Sequence, residues 1–323
     1  MRGFDVGRRR VLAAAAGLPL AGLAGCQRNE PLVRLATNSW VGYAPLFLAR
    51  ELGHFDGVNL RLLELSSNSA SLMALASGQA EAAALTLDEL LVAREGQLDL
   101  RVIMVFDESA GADVVMVRPD ISHPGHLRGR RIAVEDSATG ALMLSRTLDL
   151  AGLRPADVVK VSLAGLALVQ GYGRQEVDAV VCFEPYATQL ARLGALRLLD
   201  SSQFPGVIVD VLVARQQALL ASPGQFSRLL AGYFQAHSVL QSASSQAAVL
   251  MAPALGISPE ELLAALNGVR MASLADNRAL LTGQAPGLLA MAQSVSTLML
   301  GAGLLKTRPN LDGLVDPAHL PSA

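Results

Sequence analysis

Cysteine is scarce in this chain of 323 residues: Cys26 and Cys182 are the only two. A disulfide framework is excluded once either of them has another use. An excess of positive charge is also missing, with 26 Lys and Arg against 28 Asp and Glu, so nothing in the composition suggests nucleic acid, which calls for a basic face. Downstream of Cys26 no stretch reaches the roughly 18 uninterrupted apolar residues of a spanning helix, although hydrophobic residues make up 51% of the chain. Aromatic residues are only 4%, and Trp40 is the single tryptophan. A Gly-x-Ser-x-Gly elbow is absent, and the five histidines have no evident nucleophile as partner. His123 and His126 flank Pro124-Gly125 beside Asp120, which makes a solvated turn, so no metal site is expected. Gly171-Tyr172-Gly173 lacks the preceding strand and the spacing of a nucleotide fingerprint.

What is present begins at the N-terminus. Arg8, Arg9 and Arg10 precede 15 residues without a charge, followed by Cys26 and the polar Gln27-Arg28-Asn29-Glu30. The apolar run is short for a bilayer and has the flanks of a secretory signal. Leu23-Ala24-Gly25-Cys26 resembles a bacterial lipobox, in which the cysteine carries lipid and becomes the first mature residue. Residues 7–12 also resemble a twin-arginine export motif. Residues 1–25 are therefore expected to be a lipoprotein signal peptide and 26–31 a tether, with Cys26 anchoring the protein on the periplasmic side of a bacterial membrane. The first 25 residues hold four arginines and one aspartate, so the remaining 298 carry 22 basic and 27 acidic residues, net −5. Cys182 is then alone, inside Ala179-Val180-Val181-Cys182-Phe183, a buried-strand pattern that suits an inert core thiol.

From residue 32 short β-branched runs alternate with helical stretches, the pattern of an α/β fold with mostly parallel sheets. Strands are expected at 33–37, 58–65, 81–85 and 100–106, with helices at 45–52, 70–77 and 88–94 between them. A connecting strand follows at 114–117. A second series places strands at 131–134, 158–163 and 178–183, and helices at 138–151, 165–174 and 186–193. A further β-branched run, 207–213, leads into nearly continuous helix up to about residue 305, including the alanine- and leucine-rich stretches 254–271 and 288–305. This organisation predicts two α/β lobes joined by a two-segment hinge. Residues 32–116 and 208–305 form a discontinuous first lobe, 117–207 the second, and 306–323 a surface tail with Pro309, Pro317 and Pro321. Small ligands bind in the cleft of such a hinge.

The run from Asn38 to Phe55, built around Trp40-Val41-Gly42-Tyr43-Ala44-Pro45, resembles the opening motif of a known family: the nitrate/sulfonate/taurine (NMT1-like) solute-binding proteins of ABC transporters. Further matches follow in order at 75–82, 86–89, 107–113 and 127–134. The last ones are Ala151-Gly152-Leu153 with Asp157-Val158, then Val177-Asp178-Ala179, then Phe183-Glu184-Pro185-Tyr186. They span roughly residues 33–215. The resemblance implies a type II periplasmic-binding-protein fold. It also implies a lipid-anchored monomer that closes on one small-molecule solute and presents it to the permease subunits of an ABC importer, with no cofactor and no chemistry on the ligand.

In parallel sheets, ligands sit beyond the carboxyl ends of the strands. Ser39, Trp40 and Tyr43 follow the first expected strand, where an indole and a phenol offer flat apolar contact plus donors. Ser66 and Ser67, with Asn68, follow the second and are equally placed to cap a helix. Thr86 follows the third as a ligand contact, with Asp88 as the expected helix cap. Asp107 and Ser109 close the fourth at the hinge, either as ligand contacts or as turn residues. In the second lobe Ser137, Thr139 and Gly140 open a helix directly after a strand, so free N–H groups and the positive helix end make an anion site. Phe183 and Glu184 end another strand, and the family pattern has tryptophan where Phe183 stands. Asp210 lies in the return crossing.

None of these loops contains Lys or Arg, whereas Asp88, Asp107, Glu184 and Asp210 are acidic. A bare inorganic anion meets an unfavourable field there. The expected ligand is an organic solute with a cationic or neutral hydrogen-bonding part, either an aminosulfonate or an aminopyrimidine. Two other classes are weighed. An enzyme similar to the thiamine-pyrimidine synthases of this fold needs a Schiff-base lysine, and the only lysines, Lys160 and Lys306, stand outside the strand-end loops. A sensory module feeding a receptor shares the same signature, and neighbouring permease and ATPase genes tell it from a transport protein.

Overall fold

Eleven strands are assigned in the computed structural model, which describes residues 30–322. The expected signal peptide, Cys26 and most of the tether lie outside the described residues. In chain order the strands are β1 (Val33–Thr37), β2 (Leu60–Glu64), β3 (Ala82–Thr86), β4 (Leu100–Ser109), β5 (Asp113–Val117), β6 (Arg131–Val134), β7 (Val159–Ser162), β8 (Ala179–Phe183), β9 (Leu196–Asp200), β10 (Val209–Arg215) and β11 (Val269–Met271). They form two sheets, one ordered β11-β4-β10-β3-β1-β2 and the other β7-β6-β8-β5-β9. Strands β1, β2 and β3 are parallel to one another, while β10 runs antiparallel to both β3 and β4. In the second sheet β6, β7 and β8 are parallel, and β5 opposes β8 and β9.

Each sheet is covered on both faces by helices, which is why β3, with the sequence Ala-Ala-Ala-Leu-Thr, is buried at every residue instead of alternating. On one face of the first sheet, Leu46 and Phe47 from the helix Ala44–Glu51 pack with Phe226 and Leu230 from the helix Pro223–Ser242. On the other, Leu75, Leu90 and Val295 come from the helices Asn68–Ala76, Leu87–Glu95 and Gly287–Gly301. The second sheet is flanked by Leu144 and Leu148 of the helix Ala138–Ala151 and, opposite, by Leu168 and Leu190. Three helix starts point their caps toward the gap between the sheets. Ser67 accepts a hydrogen bond from Ala70 N and Ser137 one from Gly140 N, each at 3.1 Å. At the third, Glu89 reaches back to Thr86 N.

Several expectations are corrected. The chain changes sheets at 110–112, ahead of the expected 116/117, because β5 pairs only with β8 and β9. Strand β9 was not foreseen: it is an exposed edge strand of Leu and Arg, not a β-branched run. Nor was β11, whose three residues are too few to carry a period. The stretch 254–271 is not one helix. It breaks at Gly256, whose φ is +67°, restarts at Pro259 behind the Ser258 cap, and ends in β11. The expected surface tail after Lys306 is tied to the first sheet. Val102 on β4 donates to Leu314 O at 2.7 Å and accepts from Asp316 N at 2.8 Å, which docks the tail on the sheet with Leu314 fully buried. Among the described residues, no single helix is long and apolar enough to cross a membrane.

Candidate functional site

Strand register brings the acidic residues together. Asp210, near the start of β10, stands opposite Thr86 at the end of β3 and opposite Asp107 near the end of β4. Directly opposed residues share a sheet face, so the row Thr86–Asp210–Asp107 lies along one edge. Two carboxyls face to face are unfavourable when both are charged. Facing this edge in the second sheet, Asp113 at the start of β5 stands opposite Phe183 at the end of β8.

The segment after β1 cradles the carboxyl pair. Trp40 Nε1 donates to both oxygens of Asp107 at 3.3 Å, and Tyr43 OH donates to Asp210 Oδ1 at 2.5 Å. Between them the chain must carry Gly42, because a Cβ there would sit 2.1 Å from Asp107 Oδ2 and 2.3 Å from Trp40 Nε1. Asp107 is completely buried and Asp210 nearly so. Burial pushes the Asp107 carboxyl up to about 8 against the pull of the Trp40 hydrogen bond. Burial, and then the charge of Asp107, hold Asp210 well above the usual carboxylate range. The pair therefore keeps a proton at neutral pH.

The two sheets meet across this edge through side chains. Thr86 Oγ1 and Thr139 Oγ1 are 2.8 Å apart, Ser39 Oγ donates to Tyr186 OH at 2.8 Å, and Ser69 N and Oγ both donate to Glu135 Oε1 at 3.1 Å. Trp40 and Phe183 meet edge to face with centroids 5.8 Å apart, and Phe183 continues to Tyr186 at 5.2 Å. At the rim Arg192 Nε donates to Glu261 Oε1 at 2.8 Å. Two adjoining voids remain inside, each with room for about one water. One is lined by Trp40, Tyr43, Thr86, Asp113, Thr139 and Asp210, among others. The other reaches from Asp113, Glu135 and Ser137 to the apolar Met143, Leu168 and Cys182. Asn68, Asp113, Thr139 and Phe183 belong to both.

Further carboxyls crowd behind the walls. Burial raises Asp113 to about 7, opposed by the Ser109 hydrogen bond, and raises Glu135 as well. Asp88 is fully buried, and burial raises it to about 6. The Thr86 and Thr139 hydroxyls draw it partly back, yet they hydrogen-bond each other and leave both Asp88 oxygens unpartnered. Burial and the charge of Asp88 lift Glu89 well above its ordinary range.

Of the residues expected at the site, Trp40, Tyr43, Thr86, Ser137, Thr139, Gly140, Phe183 and Asp210 line the voids, and Asp107 lies behind Trp40. The others are placed differently. Ser39 bridges to Tyr186, and Ser66 is exposed. Ser67 is spent on its helix cap. Ser109 ends β4 just before the crossing, 2.8 Å from Ser201 Oγ and accepting from Asp113 N. Glu184 accepts from Thr188 N at 2.9 Å and pairs with Arg197 at 3.5 Å. Asp88 is not the helix cap: Thr86 holds that position, and Asp88 turns inward from the first turn. At the expected anion site Ser137 Oγ already takes the Gly140 N–H, while Glu135 lines the same void. Residues not singled out include Asp113, Glu135 and Met143. Asp113 opens a strand that runs against its neighbours, so the rule of looking after each strand misses it. Cys182, expected as an inert core thiol, is buried, and burial raises its thiol well above the ordinary value, although its side chain also borders a void.

Comparison with known proteins gives three kinds of match. The family model described as NMT1/THI5 like matches residues 40–240. A taurine-binding periplasmic protein of Escherichia coli K12 is 28% identical over 164 residues, covering 50% of this chain and 51% of that protein. The chain thus spans about half the length of that curated relative. Among solved structures, the alkanesulfonate-binding protein SsuA from Xanthomonas axonopodis pv. citri, bound to MOPS, superposes with a TM-score of 0.76 at 17% identity, covering 89% of this chain and 99% of that one. A cysteine-to-serine mutant of DSZB in complex with biphenyl-2-sulfinic acid superposes with a TM-score of 0.65 at 18% identity, covering 90% and 98%. Likeness at such identity establishes a shared fold.

Proposed function

The chain belongs to the NMT1/THI5-like family, and from that premise we propose that it is an extracytoplasmic solute-binding protein which captures one small organic solute between its two sheets and delivers it to the permease subunits of an ABC importer. Its fold is the type II periplasmic-binding-protein fold. The observation that carries the reading is the meeting of polar side chains from both sheets around one small space, with Thr86 and Thr139 at 2.8 Å. A solute enters only when the sheets part, because the closed voids admit little more than water. We take each sheet with its helices as a lobe, and the crossings at 110–112 and 201–208 as the hinge. A solute that touches both lobes binds the closed arrangement better than the open one and shifts the population toward it.

The taurine-binding relative supports a sulfonate- or taurine-like solute, and the carboxyl-rich lining supports one that bears an amino group, an aminopyrimidine included. The role is binding without catalysis. Cys182 is buried with a raised thiol, and Lys160 is engaged with Asp136 at 2.5 Å on the surface. Lipid on Cys26 would keep a monomer beside its membrane partner after export, by the twin-arginine route or another. The test is small-angle scattering and thermal unfolding with taurine, alkanesulfonates, aminopyrimidines and nitrate. One organic class should compact the protein and stabilise it, by about 2.7 kcal/mol at a hundredfold excess over Kd. No compaction with any class would overturn the clamp, and compaction with nitrate alone would overturn the organic solute.

A further inference from the structure

The lining of the closed cleft is divided by chemistry. Asp210, Asp113 and Glu135 present carboxyls, beside the Thr86–Thr139 hydroxyl pair. The same lining holds the apolar and sulfur-containing Met143, Leu168, Val181, Cys182 and Phe183. No lysine or arginine lines either void. Lys160 is paired with Asp136, and Arg197 with Glu184 and Asp200.

A second observation is independent of that count. Asp88 is completely buried against the Thr86 and Thr139 hydroxyls, and neither of its oxygens has a partner. A buried carboxyl without donors is costly. One threonine hydroxyl donates to the other, and the second is left to turn its hydrogen toward Asp88, so that hydroxyl lone pairs face the void. Lone pairs together with the carboxyls of Asp210, Asp113 and Glu135 make a lining rich in acceptors. At the helix start Ser137 Oγ takes the Gly140 N–H, and the Glu135 carboxyl stands in the same void, against an anion.

Resting on the solute-binding reading above, we propose that the cleft selects its solute by an ammonium or amidinium end. That end is seated among Asp210, Asp113, Thr86 and Thr139, and an uncharged apolar body lies against Met143, Leu168 and Phe183. A sulfonate end meets the Asp113 and Glu135 carboxyls and no lysine or arginine, so the cleft departs from sulfonate capture while keeping the clamp.

Matched probes of equal body decide it: n-butylamine against butane-1-sulfonate, and benzamidine against benzenesulfonate, by titration calorimetry on the full chain at pH 7. In each pair the cation should bind at least tenfold more tightly than the sulfonate. Asp210→Asn, which keeps the shape, should weaken the cation at least tenfold and leave the thermal midpoint of the free protein equal or higher. A sulfonate that binds as tightly as its matched cation, or cation binding that survives Asp210→Asn, overturns the proposal while leaving the solute-binding reading intact. If neither member of either pair binds while a sulfonate from the scattering panel compacts the protein, the inference again falls alone. If no solute compacts it, both fall.

Discussion

Replacing Asp107 by asparagine probes the carboxyl pair where its energetics are largest. Burial raises Asp107 from 3.8 to about 8, so between about pH 4 and 8 the folded protein keeps a proton that the unfolded chain has released. Unfolding free energy therefore falls as pH rises through this window, by about 1.4 kcal/mol per pH unit from this one group. Between pH 5 and 8 that amounts to about 4 kcal/mol, with the stability greatest on the acid side and the loss complete above the folded value. Asp113, raised to about 7, adds loss of the same sign over the lower part of the range. Carboxyls shifted the other way, such as Asp157 at about 2, lose their contribution only at pH values below the window. Asparagine preserves the shape and still accepts from Trp40 Nε1, but it has no proton to lose. The assay is urea unfolding of solute-free protein at half-unit steps of pH, followed by the fluorescence of Trp40, the single tryptophan. The variant should lose about 1 kcal/mol per unit of the wild-type slope between pH 5 and 8. A wild-type stability that is flat or rises toward pH 8, or a variant that keeps the full slope, would refute the reasoning.

Other expectations follow from the same contacts. Gly42→Ala drives a methyl into Asp107 and Trp40, and should cost about 1–3 kcal/mol in urea unfolding and shift the Trp40 emission; an unchanged spectrum and stability would contradict the cradle. Thr139→Val removes the cross-sheet hydroxyl bond to Thr86, worth about 1 kcal/mol, and should open the solute-free protein measurably in small-angle scattering, whereas an unaltered profile would show that the bond does not hold the sheets together. Cys26→Ala should release the protein from membranes in a fractionation assay with solute affinity retained, and loss of affinity in the folded variant would mean that the anchor and the cleft are not separate.

Much of this was legible in the chain because its causes are local. Strands β1, β3, β6 and β8 are short apolar runs followed by capping residues, and the period change from strand to helix is visible around Thr86 and Ser137. Trp40, Thr86 and Phe183 could be named for the same reason, since a strand-end loop is recognisable without knowing its neighbours. What stayed hidden depends on pairing between distant segments. Asp210 sits opposite Asp107 only because β10 returns antiparallel between β3 and β4, and no local pattern records that register. Asp113 and Glu135 were missed because one begins a reversed strand and the other directly follows β6, one residue before the loop that drew attention. Ser67 could be read as either cap or contact and Ser137 as part of an anion site, and packing spends both side chains on their helices. Asp88 went the opposite way, from expected cap to buried carboxyl, because Thr86 is better placed to end the strand.

The central claim is that one small solute is held between the two sheets by its basic end. The most direct measurement is a crystal structure of the full chain with the tightest-binding solute from the panel. A nitrogen of that solute should lie within hydrogen-bond distance of Asp210 or Asp113, with Thr86 and Thr139 both touching the same molecule. A solute held by one sheet alone, or an acid group seated at the Ser137 helix start with no atom near Asp210, would contradict the account.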